Sequence, residues 1–62
     1  MTKVEANRAC RAGLLAEAGD PGTEDYDRGV IVAVNGDHAF VAWESGLRTP
    51  CCPIARLRLV ED

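Results

Sequence analysis

Four side chains in this 62-residue sequence are of the cysteine or histidine type that holds structural zinc or carries thiol and imidazole chemistry: Cys10, His38, Cys51 and Cys52. A structural zinc site takes four such ligands, usually delivered as closely spaced pairs of the C-x-x-C kind, and no such pair is present. A nucleophile needs a base and an orienting partner, and the single His38 falls one residue past a turn where solvent reaches it. The sequence therefore predicts no metal, no cofactor and no catalytic set. Cys51 and Cys52 are neighbours, and a bridge between adjacent cysteines strains the peptide. An odd count of three thiols gives no disulfide framework either, so the cysteines read as small hydrophobes in a reducing, cytoplasmic setting.

The charged residues point to partners. Acidic side chains crowd Glu17, Asp20, Glu24, Asp25 and Asp27, whereas Arg48, Arg56 and Arg58 sit in the last third, and the net charge is −3. Nucleic-acid binding draws on a basic face that releases counterions from phosphates. The three C-terminal arginines are the residues that would serve it, and the acidic balance disfavours it. The acidic stretch can attract a basic partner through its local field, although a solvated loop is the plainer role for it.

A chain this short has room for one domain, spanning 1–62, and buries only about 60% of its unfolded surface. Its stability is expected to be marginal, and self-association would raise it. The longest apolar run, Val30 to Val34, is far below the ~20 residues a membrane-spanning helix needs. No apolar leader precedes the first charges, so the expectation is a cytoplasmic protein with no membrane partner.

The elements that position these side chains start with a hairpin. Arg28 to Val34 and Asp37 to Glu44 are β-branched or aromatic runs around Asn35-Gly36, whose tolerance of positive φ favours a type I′ turn. With those two residues as the loop, Val32 faces Ala39, Val30 faces Val41, and Arg28 faces Trp43, close enough for a cation–π contact. Opposed residues share a face. Val30, Val32, Val34, Ala39, Val41 and Trp43 then form the core side. Ile31, Ala33, His38, Phe40 and Ala42 form an outer face that is unusually apolar and marks a partner-binding surface. Ser45-Gly46 turns into a strand over Leu47 to Cys52, limited by Pro50 to an edge or bulge. Residues 53–57 suit a 3₁₀ turn and Arg58 to Val60 a closing strand. The Ala-rich N-terminus carries both helical and alternating spacing, and Gly13 interrupts a helix. A first strand over Arg8 to Ala12 is the reading adopted, followed by a long acidic loop near 13–27.

This order resembles the SH3-like barrels, a group that includes Tudor, chromo-like and KOW domains. Arg28-Gly29-Val30-Ile31-Val32-Ala33-Val34 with Ala39-Phe40-Val41-Ala42-Trp43 looks like their central hairpin, and Ile54-Ala55-Arg56-Leu57 looks like their penultimate 3₁₀ turn, over about residues 8–60. The resemblance implies a mainly β, five-stranded SH3-like barrel. Glu24-Asp25-Tyr26-Asp27 is similar to the acidic loop of SH3 peptide binders, without their paired tryptophan. Tudor-type cages need several convergent aromatics, and here only Tyr26, Phe40 and Trp43 exist. Pro53-Ile54-Ala55-Arg56-Leu57 also resembles the end of the oligomeric type II dihydrofolate reductases. Where that family carries its Val-Gln-Ile-Tyr active-site stretch, this chain reads Leu47-Arg48-Thr49-Pro50-Cys51-Cys52. The leading expectation is a non-enzymatic interaction module that binds a protein or a second copy of itself, in the style of small bacterial, phage or plasmid accessory proteins. A nucleic-acid- or transcription-associated regulator stands second, and an oligomeric enzyme third.

Overall fold

The N-terminal segment is a helix, not a strand. In the computed structural model, which describes residues 1–60, helix α1 runs Lys3–Ala12 and covers the stretch Arg8 to Ala12 expected to be extended. The reason is local. The Thr2 hydroxyl accepts from the Glu5 amide and the Glu5 carboxylate accepts from the Thr2 amide, a reciprocal capping box that satisfies two otherwise orphaned donors. Ala6 and Ala9, three residues apart, are fully buried against the sheet, and their small side chains let the helix lie close to it. Gly13 ends the helix in the left-handed conformation, φ 66°, so it terminates the element it was expected to forbid.

Five strands follow: β1 (Leu15–Ala18), β2 (Asp27–Asn35), β3 (His38–Trp43), β4 (Cys51–Pro53) and, after a 3₁₀ turn at Ile54–Arg56, β5 (Arg58–Leu59). They make one antiparallel sheet in the order β4-β3-β2-β1-β5. The protein is thus mainly β, as expected, with its 3₁₀ turn inside the expected stretch. The hydrogen-bonded ladder is open, with β4 and β5 as its two edges. β1 occupies part of the stretch assigned to the acidic loop, which shrinks to residues 19–26. The expected strand Leu47 to Cys52 is mostly irregular, and only its last two residues enter β4.

The hairpin exists, with a different register. Asn35 pairs with His38, Val34 with Ala39 and Ala33 with Phe40; a bulge at Val32 then resets the ladder so that Ile31 pairs with Val41, Val30 with Ala42 and Gly29 with Trp43. Two physical causes act here. Gly36 is the one positive-φ residue of the turn, so the loop is Gly36–Asp37 with glycine first, the requirement of a II′-type turn. The extra residue at the bulge then rotates everything before it by one position. Ile31 moves into the core and Val30 and Val32 move out.

The core lies between α1 and the inner face of the sheet. Ile31, Leu57 and Val41 are its largest fully buried side chains, joined by Trp43, Ile54, Cys52 and a set of alanines. Trp43 is fixed by its indole N–H, which donates to the Thr49 carbonyl at 3.1 Å. No helix among the described residues is long and apolar enough to cross a membrane.

One acidic residue ties the ends of β2 and β3 together. Asp27 is buried and accepts from the Ser45 hydroxyl and from the Arg28 amide. These bonds, the Ser45 hydroxyl first, hold its carboxyl below the ordinary aspartate range against the opposing effect of burial. A depressed folded-state pKa means the stabilisation is complete above the ordinary range and is lost as pH falls through the folded-state value. Thermal midpoints measured from pH 7 downward should therefore fall in the native protein below the usual aspartate range. Asp27→Asn should start lower and show a shallower decline, and parallel curves for the two proteins would contradict this role.

Candidate interaction face

α1 covers one side of the sheet, and the other side carries three successive cross-strand rows. At the first, Arg28 of β2 lies beside Glu44 at the end of β3 and Glu17 of β1, with Arg58 of β5 beyond. The second joins Leu15, Val30 and Ala42. The third joins Ala33, Phe40 and Cys51. His38 and Pro53 pair beyond the third row, at the hairpin tip. Val32 stands at the bulge between the second and third rows.

The charged row is internally paired. The Arg28 Nε lies 3.0 Å from Glu44 Oε2, and the Arg58 Nε lies 3.4 Å from Glu17 Oε1. The Tyr26 hydroxyl donates to Glu17 Oε2 at 2.7 Å. That bond is the main reason the Glu17 carboxyl titrates below the ordinary glutamate range, with Arg58 adding to it, and it pushes the Tyr26 phenol up. The apolar rows have no such cover. Val32 is 60% exposed, Phe40 41% and Leu15 37%, and Ala33, Ala42 and Cys51 are also exposed.

Of the five residues expected on this face, Ala33, His38, Phe40 and Ala42 are there. Ile31 is not. It is 1% exposed in the core, because the bulge turns it inward, and Phe40 pairs with Ala33 in its place. Val32 and Val30, assigned to the core from the sequence, belong to the outer side. Leu15 and Cys51 were missed as well. The bulge leaves no residue-level signal in an unbroken Val-Ile-Val-Ala-Val run, whereas Cys51 could have been placed by extending the alternation from Phe40 across to the next strand.

The three arginines do come together. Arg48, Arg56 and Arg58 line one cleft of about 610 Å³. Asp20 and Asp25 line it too, and two of the guanidinium groups are already engaged. Arg48 donates to the Asp25 carbonyl and Arg58 to the Gly19 carbonyl, so both hold the loop between β1 and β2 in place. Arg48 also stacks over Trp43 at 4.8 Å from the ring centre. It takes the cation–π position expected for Arg28, which instead pairs with Glu44. Arg56 makes no ion pair among the described residues.

His38 is exposed at the hairpin tip. Cys51 is exposed, Cys52 buried and Cys10 intermediate, since the neighbours Cys51 and Cys52 alternate across the sheet. Burial pushes the Cys52 thiol up, which makes it a poorer nucleophile. Among the described residues, no three histidine, cysteine or carboxylate side chains converge as metal ligands would.

Comparison of the chain with protein-family models, with curated proteins and with solved structures found no match.

Proposed function

We propose that this chain is a non-enzymatic protein-interaction module that docks through the outer face of β2 and β3. The observation that carries the reading is the pair of uncovered apolar rows centred on Phe40, on a sheet whose opposite face is already packed. Exposed apolar patches of this kind on a small domain mark association sites. Val32, Ala33, Phe40 and Ala42 form the centre of the contact, and His38 stands at its margin. The strand order, with a 3₁₀ turn linking β4 to β5, supports an SH3-like barrel as the fold family. Free thiols on both sides of the sheet suit a reducing cytoplasm.

The arginine cleft supports the nucleic-acid reading less well. Two of its three cations brace a loop, and its carboxylates repel a continuous polyanion.

Replacing Phe40 with glutamate tests the proposal. The ring is exposed, so the fold survives, while a charge in the middle of the apolar rows abolishes association. Sedimentation and affinity capture of binding partners with the native and F40E proteins give the readout. If both behave identically, the face is not a docking surface.

A further inference from the structure

The two central strands of the outer face are complementary to themselves. In the row Ala33·Phe40 a small residue on β2 lies beside a large one on β3. The order reverses in the row Val30·Ala42, where the large residue is on β2. In the charged row a cation on β2, Arg28, lies beside an anion at the end of β3, Glu44. A twofold axis running along the strands, midway between β2 and β3, places each β2 over the β3 of a second copy. Every row then meets its complement. Phe40 of each copy falls on Ala33 of the other, Val30 on Ala42, and Arg28 on Glu44. Val32, raised by the bulge, drops between the Phe40 and Ala42 positions opposite.

From this pattern we infer that the occupant of the face is a second copy of the same chain, packed face to face as an isologous dimer. The inference rests on the docking reading above and narrows it to one partner. Both contacting surfaces of a twofold dimer are the same patch, so self-complementarity is the required property. Two aligned sheets with interleaved large and small side chains, about 10 Å apart, are an established packing. The Arg28–Glu44 pair, roughly half exposed on both sides, becomes a four-charge network across the axis. Size fits as well. A standard interface takes about 800 Å² from each partner, about a fifth of the 4200 Å² this chain exposes. The edges offer no competing route, because β4 is flanked by Pro50 and ends in Pro53, and β5 has two residues. Prolines lack the donor that strand addition needs.

The test uses opposite charge reversals. Arg28→Glu leaves only anions at the two central positions of the charged row of every copy, and Glu44→Arg leaves only cations there. Each variant alone should dimerise about tenfold or more weakly than the native chain, read by sedimentation equilibrium up to about 1 mM, where even weak association is visible. An equimolar mixture of the two should restore the dimer as a heterodimer, a result that no defect within either fold can produce. Ala42→Arg, at an exposed site in the apolar second row, should be monomeric and serves if the reversals unfold the chain. A native protein that stays monomeric at about 1 mM overturns the inference, as does a mixture that fails to reassociate or an A42R protein that still dimerises. If the native chain is monomeric but Phe40→Glu still releases a different bound protein, the docking face stands and only the second copy is lost.

Discussion

Gly29→Ala leaves the chain unfolded. Gly29 is buried on β2 opposite Trp43, and a Cβ at that position runs into the Ala42 carbonyl, with the Ala42 carbonyl carbon at 2.7 Å and Trp43 Cα at 2.9 Å. The obstacle is main chain, which cannot rotate aside as a side chain does. Overpacking costs roughly 1–3 kcal/mol even where neighbours yield, and a domain of this size has only about 3–5 kcal/mol in total. The measurement is near-ultraviolet circular dichroism of the single Trp43 with far-ultraviolet strand signal. A native-like spectrum and a cooperative urea transition for G29A would show that β2 and β3 do not approach as closely as described.

The second large effect separates Ile31 from Phe40. Ile31 is one of three largest fully buried side chains, and its truncation to alanine should remove roughly 2–5 kcal/mol, most of what holds the domain together. Phe40→Ala removes only a cross-strand contact with Ala33 and Cys51, worth about 0.2–1 kcal/mol. Urea midpoints of the two variants decide the matter. Equal destabilisation would mean that both side chains share one face, which the bulge at Val32 forbids.

That bulge also marks where the sequence stops being legible. The β3 side of the hairpin alternates cleanly, with Ala39, Val41 and Trp43 inward and His38, Phe40 and Ala42 outward, and each is where the pattern puts it. β2 is apolar at every position from Val30 to Val34, so either phase satisfies its composition and only the bulge selects one. A loop beginning at Asn35 and one beginning at Gly36 both leave Val32 on the face of Ala39 and Val41, and it is the extra residue at the bulge that buries Ile31 in place of Val32. The N-terminus misleads for a different reason. Alternation over Lys3 to Ala12 competes with a capping box at Thr2 and Glu5, and the cap wins because it satisfies backbone donors that a strand would have to pair elsewhere. The arginine cleft is invisible to spacing, since Arg48 reaches it from a loop, Arg56 from the 3₁₀ turn and Arg58 from β5. The 3₁₀ turn itself and the closing strand after it were readable because Pro53 fixes where the chain can bend.

The two borders of the sheet carry a last consequence. One ends against prolines and the other is two residues long, so neither can serve as a template on which further chains stack indefinitely. Growth by main-chain pairing stops before it starts, and an assembly of this molecule is held by its side chains. At high concentration it should stay clear of fibrils, giving no dye-binding cross-β signal under conditions where less guarded sheets polymerise.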